Sequence, residues 1–529
     1  MKASDLLVKC LENEEVKYVF GIVGKETLDL VHSITDSSIE FIVVRHEQSA
    51  AFMANIYGQL TRKPGVCTAT LGPGATNLVT GIGAAYLDYG PVVAICGQAG
   101  LDRQHKTSHQ YINLVELFNP ITKWSVQVKD SATIPEIIRK AFKTAELERP
   151  GPVYIDLPEN IAKESILDGV PIAKSNEPKT CANRNDVNTV KSLINASQKP
   201  FVLVGNGLVR QSGEGELLQF IEQLNAPTAH TFMAKGVLDP KHPLNFYTFG
   251  FIEKDYVVTM LRESDLIITI GFDSIEHLPE NWNIDKKPIL HVHSTVAEVD
   301  DFYPTKFELI GNIKENLTLL IQEELDKKEW SDLPEKRQRI KDGHNIDTYV
   351  GDHSELLLSN VINALQEVVD ANTILLSDVG ANKMEIARVF QPENPNHVLI
   401  SNGLASMGVA VPGGIAAKLA CPDQPVVCVT GDGGFLMNMP EIETAKRLNT
   451  AMIIIVLNDG MYGLEKKMML EEQSTDEGVY FSNPDFLKLA ESFGIKGYRV
   501  ENTGMLKETI LQELHSNNIV LIDVPVRYQ

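Results

Sequence analysis

Two runs, Pro425-Val426-Val427-Cys428-Val429-Thr430-Gly431-Asp432-Gly433-Gly434 and Ala451-Met452-Ile453-Ile454-Ile455-Val456-Leu457-Asn458-Asp459-Gly460, decide how this chain reads. Each is an unbroken apolar stretch that ends in a polar, glycine-bearing turn, the pattern of a buried parallel strand running out at its carboxyl edge. Ligands of open α/β sheets bind at that edge, and glycine there lets backbone N–H groups come close to an anion. Asp432 and Asn458 are expected side by side. With the Gly460 carbonyl they make an all-oxygen half-shell, leaving octahedral positions for two phosphate oxygens and a water, and Gly433 and Gly434 lie against the phosphates; this is a magnesium–diphosphate site. A lone Gly-Asp-Gly also serves as an ordinary tight turn after a strand. The spacing to Asn458, bracketed by two apolar strands, is the specific part.

Around that stretch the chain is long. Its 529 residues exceed what one core supports and suggest about three domains. With 43% apolar and 22% charged residues it is ordinary globular material, and the formal charge of −22 argues against nucleic acid or an anionic membrane as partner. Six cysteines are scattered without a Cys-x-x-Cys pair, as core thiols of a reducing compartment are. Near the start, Leu6, Leu7, Cys10 and Leu11 share a helical face, but Lys9, Glu12, Glu14 and Glu15 break any resemblance to a signal peptide. No apolar run reaches membrane-spanning length, so a cytoplasmic protein is expected.

Strand-like runs alternate with helical patterns throughout. Tyr18 to Ile22, Phe41 to Val44, Gly65 to Thr70, Pro91 to Cys96 and Pro152 to Leu157 define a unit over 1–165. Phe201 to Val204, Leu266 to Ile270 and Ile289 to Val292 define a second over 189–325. Ile374 to Ser377, Val398 to Ser401, the two opening runs and Ile519 to Val524 define a third over 353–529. The alternation implies an α/β fold of three doubly wound parallel sheets, joined by polar linkers at Lys163 to Asn188 and Glu323 to Asp352. In the middle unit Gly205-Asn206-Gly207 follows a strand, but Arg210 stands where a dinucleotide fingerprint needs its third glycine.

In the first unit Glu47 ends a strand and opens the helical pattern Ala50, Ala51, Met53, Ala54, Tyr57. A carboxylate there also simply complements a helix dipole. Leu71-Gly72-Pro73-Gly74-Ala75-Thr76-Asn77 is, by itself, a turn into a helix.

Taken together, Gly431-Asp432-Gly433 to Asn458 and, nearly four hundred residues earlier, Arg45-His46-Glu47-Gln48-Ser49-Ala50-Ala51-Phe52-Met53-Ala54 resemble the two signatures of thiamine diphosphate (ThDP) enzymes, in the family's order. The resemblance implies a pyrimidine-binding domain at 1–165, a central domain at 189–325 and a diphosphate- and magnesium-binding domain at 353–529. It implies that Glu47, buried, hydrogen-bonds the aminopyrimidine and thereby lets the cofactor take up its own thiazolium proton. It also places Gly72, Pro73 and Gly74 against the pyrimidine end or the substrate. Asn382, in Asp378-Val379-Gly380-Ala381-Asn382-Lys383, then lies near the diphosphate, and Met407, in Ser406-Met407-Gly408, is similar to the residue that props ThDP into its bent form. Asp432, Gly433, Gly434, Asn458, Gly460 and Tyr462 complete the cofactor-facing set, with Asp432, Asn458 and Gly460 on the metal.

Further stretches narrow the match. Ser108-His109-Gln110 and Phe118-Asn119-Pro120-Ile121-Thr122-Lys123 resemble acetolactate synthases, which implies catalytic parts for Gln110 and Lys123 beside the reacting carbons. Gly271-Phe272-Asp273-Ser274-Ile275-Glu276 resembles their catabolic branch and lacks the run of the FAD-containing relatives, so FAD is not expected. The chain departs from that branch at Leu404-Ala405 and at Gly460-Met461-Tyr462-Gly463-Leu464, near where a second oxo acid would sit. The implied reaction is decarboxylation of pyruvate and transfer of the two-carbon fragment to a second pyruvate, giving 2-acetolactate, in a homodimer or a dimer of dimers that encloses its cofactors between chains. Three alternatives stay open: a non-ligating 2-oxo acid decarboxylase, against which the lack of a His-His pair counts; a flavin or nicotinamide oxidoreductase built on the middle unit; and a non-catalytic ThDP-binding homologue.

Overall fold

A computed structural model describes residues 1–175, 179–251 and 253–527. Among these, eighteen strands form three six-stranded sheets in which every pairing is parallel. The first holds β1 (Tyr18–Gly21), β2 (Glu40–Val43), β3 (Gly65–Ala69), β4 (Val92–Gln98), β5 (Trp124–Gln127) and β6 (Pro152–Pro158), in the order β2-β1-β3-β4-β6-β5. The second holds β7 (Pro200–Val204), β8 (Thr228–His230), β9 (Asn245–Thr248), β10 (Leu266–Ile270), β11 (Ile289–His293) and β12 (Thr305–Ile310), ordered β12-β11-β10-β7-β8-β9. The third holds β13 (Ile374–Ser377), β14 (Val398–Ile400), β15 (Val426–Gly431), β16 (Met452–Asn458), β17 (Lys496–Arg499) and β18 (Ile519–Pro525), ordered β14-β13-β15-β16-β18-β17. The first and third sheets thus share one winding, a repeat invisible in the residues themselves. The middle sheet instead has the strand order of dinucleotide-binding folds.

Alternation along the strands explains why both faces of each sheet are covered. In the third sheet Leu375, Val427, Val429, Ile453 and Ile455 enter one core, while Leu376, Val426, Cys428, Ile454 and Val456 enter the other. Each such buried aliphatic contributes about 1.5–3 kcal/mol over an exposed one. The second of these cores is shared with the first sheet, through the helices Glu47–Thr61 and Ala410–Ala420. Small residues let those helices meet closely: a Cβ on Gly413 would stand 3.2 Å from Ile56.

The structure adds strands that the sequence pattern does not announce, namely β5, β8, β9, β12 and β17. All lie at or next to a sheet edge, and each is short or carries polar residues that break an apolar run, such as Thr228 and His230 of β8 and Asn245 and Thr248 of β9. The charged stretch from Glu323 to Asp352 is more than a linker. It contains the helix Leu333–Gly343, whose Ile340 is buried with Trp330, and Arg337 donates to the Asn245 carbonyl at the end of the middle sheet. Within the segment from Lys163 to Asn188, residues 176–178 lie outside the described residues. No helix among the described residues is long and apolar enough to cross a membrane.

Candidate active site

The register of β15 on β16 pairs Gly431 with Leu457, so the next residue of each strand, Asp432 and Asn458, emerges at the same edge. Asp432 is buried as the first residue of the helix Asp432–Asn438. Its Oδ2 accepts from the Gly460 N–H at 2.7 Å, the Asp459 N–H at 3.1 Å and Asn483 Nδ2 at 2.6 Å, and its Oδ1 from the Gly433 N–H at 2.8 Å. Gly460 folds back at φ +68, in the left-handed region that suits glycine, which brings its N–H onto that carboxylate. Asn458 donates its Nδ2–H to Asp523 Oδ1 at 2.9 Å, which turns its own Oδ1 toward Asn483.

Gly433 sits under two other expected residues. A Cβ there would come within 2.8 Å of the Tyr462 ring and 3.4 Å of Met407 Cε, so Gly433, Tyr462 and Met407 converge on one surface beside Asp432. Gly434 backs onto Asp378, whose Oδ1 would lie 3.0 Å from an added Cβ. Asp378 is a residue that sequence reasoning gave no role. Its carboxylate accepts from the Val379 and Gly408 N–H groups at 2.8 Å each, and from the Ala410 N–H and Thr430 Oγ1 at 3.2 Å each. Burial raises its pKa, and those bonds pull the other way. The residue next to Met407 is thereby fixed to the end of β15. Asn382 serves the same framework: its Nδ2 donates to the Asp378 carbonyl at 2.8 Å.

On the first sheet, Glu47 opens its helix with His46 as N-cap and is 9% exposed. Asn77 Nδ2 donates to Glu47 Oε2 at 2.9 Å, and Glu47 Oε1 lies 3.3 Å from where a Cβ on Gly74 would stand. Gly72, at φ +60, turns the chain into the helix Pro73–Leu87 and packs under Gln110, whose carbonyl oxygen and Cβ would be 2.8 and 2.9 Å from an added Cβ. Glu47, Gly72, Gly74 and Gln110 are therefore neighbours, and the Gln110 side chain is exposed above them. Lys123 is elsewhere. Its Nζ donates to the carbonyls of Leu147 at 2.6 Å and Arg149 at 2.7 Å, beyond the helix Ile134–Glu146, and burial lowers its pKa to about 8. That geometry commits the ammonium to a structural tie, and it does not bring Lys123 to Gln110.

The two halves are braced by contacts the sequence did not flag. Glu441 Oε1 accepts from the N–H groups of Arg45 at 2.9 Å and His46 at 3.2 Å. Asp88 accepts from Ser401 Oγ and from the N–H groups of Asn402 and Gly403 at 2.7–3.0 Å. No hydrogen bond among the described residues joins the carboxylates of Glu47 and Asp432, which belong to separate edges. The donor set at Asp432 fits a hard divalent cation: one carboxylate, two oxygen-bearing neighbours, and a buried Asn483 Oδ1 without a hydrogen-bond partner.

In the middle sheet the crevice after β7, where its strand order reverses, holds ion pairs. Arg210 pairs with Glu148 at 3.0 Å and with the fully buried Asp273 at 3.1 Å, Arg149 reaches Asp273 at 2.6 Å, and Glu276 accepts from the Asn206 N–H at 3.0 Å. Arg210 thus puts a guanidinium where a fingerprint glycine would leave room.

Comparison with known proteins finds three domains of one family along the chain. The chain matches the thiamine pyrophosphate enzyme N-terminal TPP binding domain over residues 1–117, the central domain over 187–320 and the C-terminal TPP binding domain over 378–524. It is 33% identical to the acetolactate synthase of Bacillus subtilis (strain 168), covering 100% of this chain and 93% of that one. It is 33% identical to a probable acetolactate synthase large subunit of Methanococcus aeolicus, over 99% of this chain and 92% of that one. To the catabolic acetolactate synthase of Raoultella terrigena it is 32% identical, over 99% and 95%.

Proposed function

The chain belongs to the thiamine pyrophosphate enzymes, as an enzyme of the acetolactate synthase-like type, and from that premise we propose that it condenses two molecules of pyruvate to 2-acetolactate with release of CO2. The observation that carries the reading is the Asp432 carboxylate gripped by the 459–460 turn beside Asn458, with Gly433, Tyr462 and Met407 grouped around it. In this reading Asp432, Asn458 and the Gly460 carbonyl would hold Mg²⁺, and Gly433 and Gly434 would leave room for the cofactor's diphosphate. Bound there, ThDP would supply the electron sink on which a 2-oxo acid loses CO2 and a carbon–carbon bond forms.

The protein's own part is orientation and proton handling. Glu47, steadied by Asn77 and shielded from water, presents its carboxyl toward the pyrimidine end. Met407 and Tyr462 set the cofactor's bend from the other edge. Gln110, lifted above Gly72, contacts the acceptor oxo acid. Residues 1–165 and 353–529 then serve the two ends of the cofactor, from different chains of a homodimer or a dimer of dimers. The salt-bridged crevice of the middle unit supports an enzyme that works without FAD.

Product analysis after incubation with pyruvate, ThDP and Mg²⁺ tests this. Acetolactate is expected; acetaldehyde alone would make the protein a simple decarboxylase, and no product with any 2-oxo acid would remove the catalytic reading.

A further inference from the structure

Asn483 is assigned nothing by its sequence context, Asn483-Pro484-Asp485, just ahead of the helix Phe486–Phe493. Yet its single amide nitrogen spans the two side chains read above as cation ligands, 2.6 Å from Asp432 Oδ2 and 2.9 Å from Asn458 Oδ1. The other end of the same group, Oδ1, is buried and has no hydrogen-bond partner. A carboxamide carries donors on one side and acceptors on the other, so the side it shows to a site reports the charge that the site needs. Two converging oxygens need positive charge between them, and the Asn483 N–H group supplies it here. A buried, unsatisfied acceptor is uncommon in folded proteins and calls for a reason.

The backbone around Asn483 is tied to the same turn. The Phe481 N–H donates to the Gly460 carbonyl at 3.0 Å, the Tyr462 N–H donates to the Val479 carbonyl at 3.0 Å, and the rings of Tyr462 and Phe481 lie 5.0 Å apart. With the preceding residues tied to the turn and the helix Phe486–Phe493 starting just beyond, rotation about the side-chain bonds is the movement left to the amide.

We propose that Asn483 is a positioning residue for the cation: its N–H group bridges Asp432 and Asn458, and with a divalent cation at those oxygens the carboxamide would turn to offer Oδ1 to the metal's hydration shell. A divalent cation between those oxygens repels an N–H dipole and attracts a carbonyl one, so loading reverses the favoured orientation. Turned inward, Oδ1 would offer a hydrogen-bond acceptor to water held by the cation. Asn483 is then a positioning residue for the metal, acting through that water, and this rests on the reading of Asp432 and Asn458 as its ligands.

The test is Mg²⁺ binding by calorimetry at saturating ThDP, with thermal midpoints measured with and without Mg²⁺, for the wild type, Asn483→Leu and Asn483→Asp. Leucine keeps the volume and removes both donor and acceptor; it should weaken Mg²⁺ binding about 10–100-fold, as loss of an outer-shell partner does. Aspartate keeps the oxygens and removes the donor, so the unloaded protein should melt lower than wild type and gain more from Mg²⁺. Wild-type Mg²⁺ affinity in Asn483→Leu, or tighter binding, overturns the proposal. So does an Asn483→Asp protein whose midpoint responds to Mg²⁺ no more than wild type does. A wild-type protein that takes up no Mg²⁺ with ThDP would instead overturn the underlying metal reading, and this proposal with it.

Discussion

Asn77 donates to Oε2 of Glu47 at 2.9 Å, leaving Oε1 as the oxygen that faces Gly74. The two residues stand at the starts of successive helices, so their bond fixes the carboxyl relative to the Gly72-Pro73-Gly74 turn. Asn77→Ala should free that carboxyl while leaving the metal edge intact. A misplacement near 1 Å can cost on the order of 10²-fold in rate. We expect kcat to fall by about that factor with ThDP affinity close to wild type; an unchanged kcat would show that Asn77 does not position Glu47.

Gly433 makes a steric prediction. A methyl group there would press on Tyr462 at 2.8 Å and touch Met407 at 3.4 Å, whereas a Cβ on Gly431 meets nothing within 4 Å. Gly433→Ala should therefore weaken ThDP–Mg²⁺ binding about tenfold or more, in line with the 1–3 kcal/mol that overpacking costs. Gly431→Ala should bind as wild type. Calorimetry on both separates crowding of the site from a general effect of losing a glycine.

Part of this site was legible and part was not, for physical reasons. β15 and β16 announce themselves because both faces are buried, which demands unbroken apolar runs, and a strand end with Gly-Asp-Gly is chemically distinctive. Glu47 was legible through its neighbours Arg45 to Ala54 rather than through its own chemistry. Asn77, Asp378, Glu441 and Asn483 were not, since each acts through a partner far away in sequence, and a lone Asn or Glu carries no periodic signal. Lys123 is a different case: the resemblance implies a place near the reacting carbons, and within the chain its ammonium donates to the carbonyls of Leu147 and Arg149. Some edge strands escaped because they are short and interrupted by polar residues, as in β8 and β9, and β17 because its ends are exposed.

Glu276 gives a pH prediction in the middle unit. Burial, with Asp273 adding to it, pushes its carboxyl up to about 8 from an ordinary 4.5. Between those values the folded chain keeps a proton that the unfolded chain releases, so stability falls as pH rises through the window, by up to about 1.4 kcal/mol per pH unit. Glu276→Gln retains an oxygen for the Asn206 N–H and removes the titration. Its thermal midpoint should gain on wild type steadily from pH 5.5 to 8, and a constant difference across that range would place the Glu276 titration elsewhere.

Gln110 lies on the first sheet's edge, its backbone held in the left-handed region at φ 59 directly over Gly72. A group that contacts the acceptor acts after CO2 has left. Gln110→Ala should therefore slow ligation more than decarboxylation, and the ratio of acetaldehyde to acetolactate should rise about tenfold, the effect of losing roughly 1.4 kcal/mol of acceptor-specific stabilisation. An unchanged ratio removes Gln110 from the acceptor side.

The remaining prediction concerns which chains build one site. Glu47 is bonded to Asn77 and Asp432 to the 459–460 turn and Asn483, on separate sheet edges. If each cofactor lies between the first unit of one chain and the third unit of another, Glu47→Gln should still bind ThDP and lose activation, on the order of 10²–10⁴ for an acid–base group. Asp432→Ala should lose the cofactor, because a cation held by few protein groups cannot give up its only carboxylate. In a mixed dimer one site then carries both lesions and the other carries neither. Random co-expression makes about half the dimers mixed, each with one intact site of two, so activity should recover to about a quarter of wild type. Were both residues to serve a cofactor within one chain, every site in the mixed dimer would carry one lesion and nothing would be regained. Native mass spectrometry to establish mixing, followed by assay of the mixture, decides between the two arrangements.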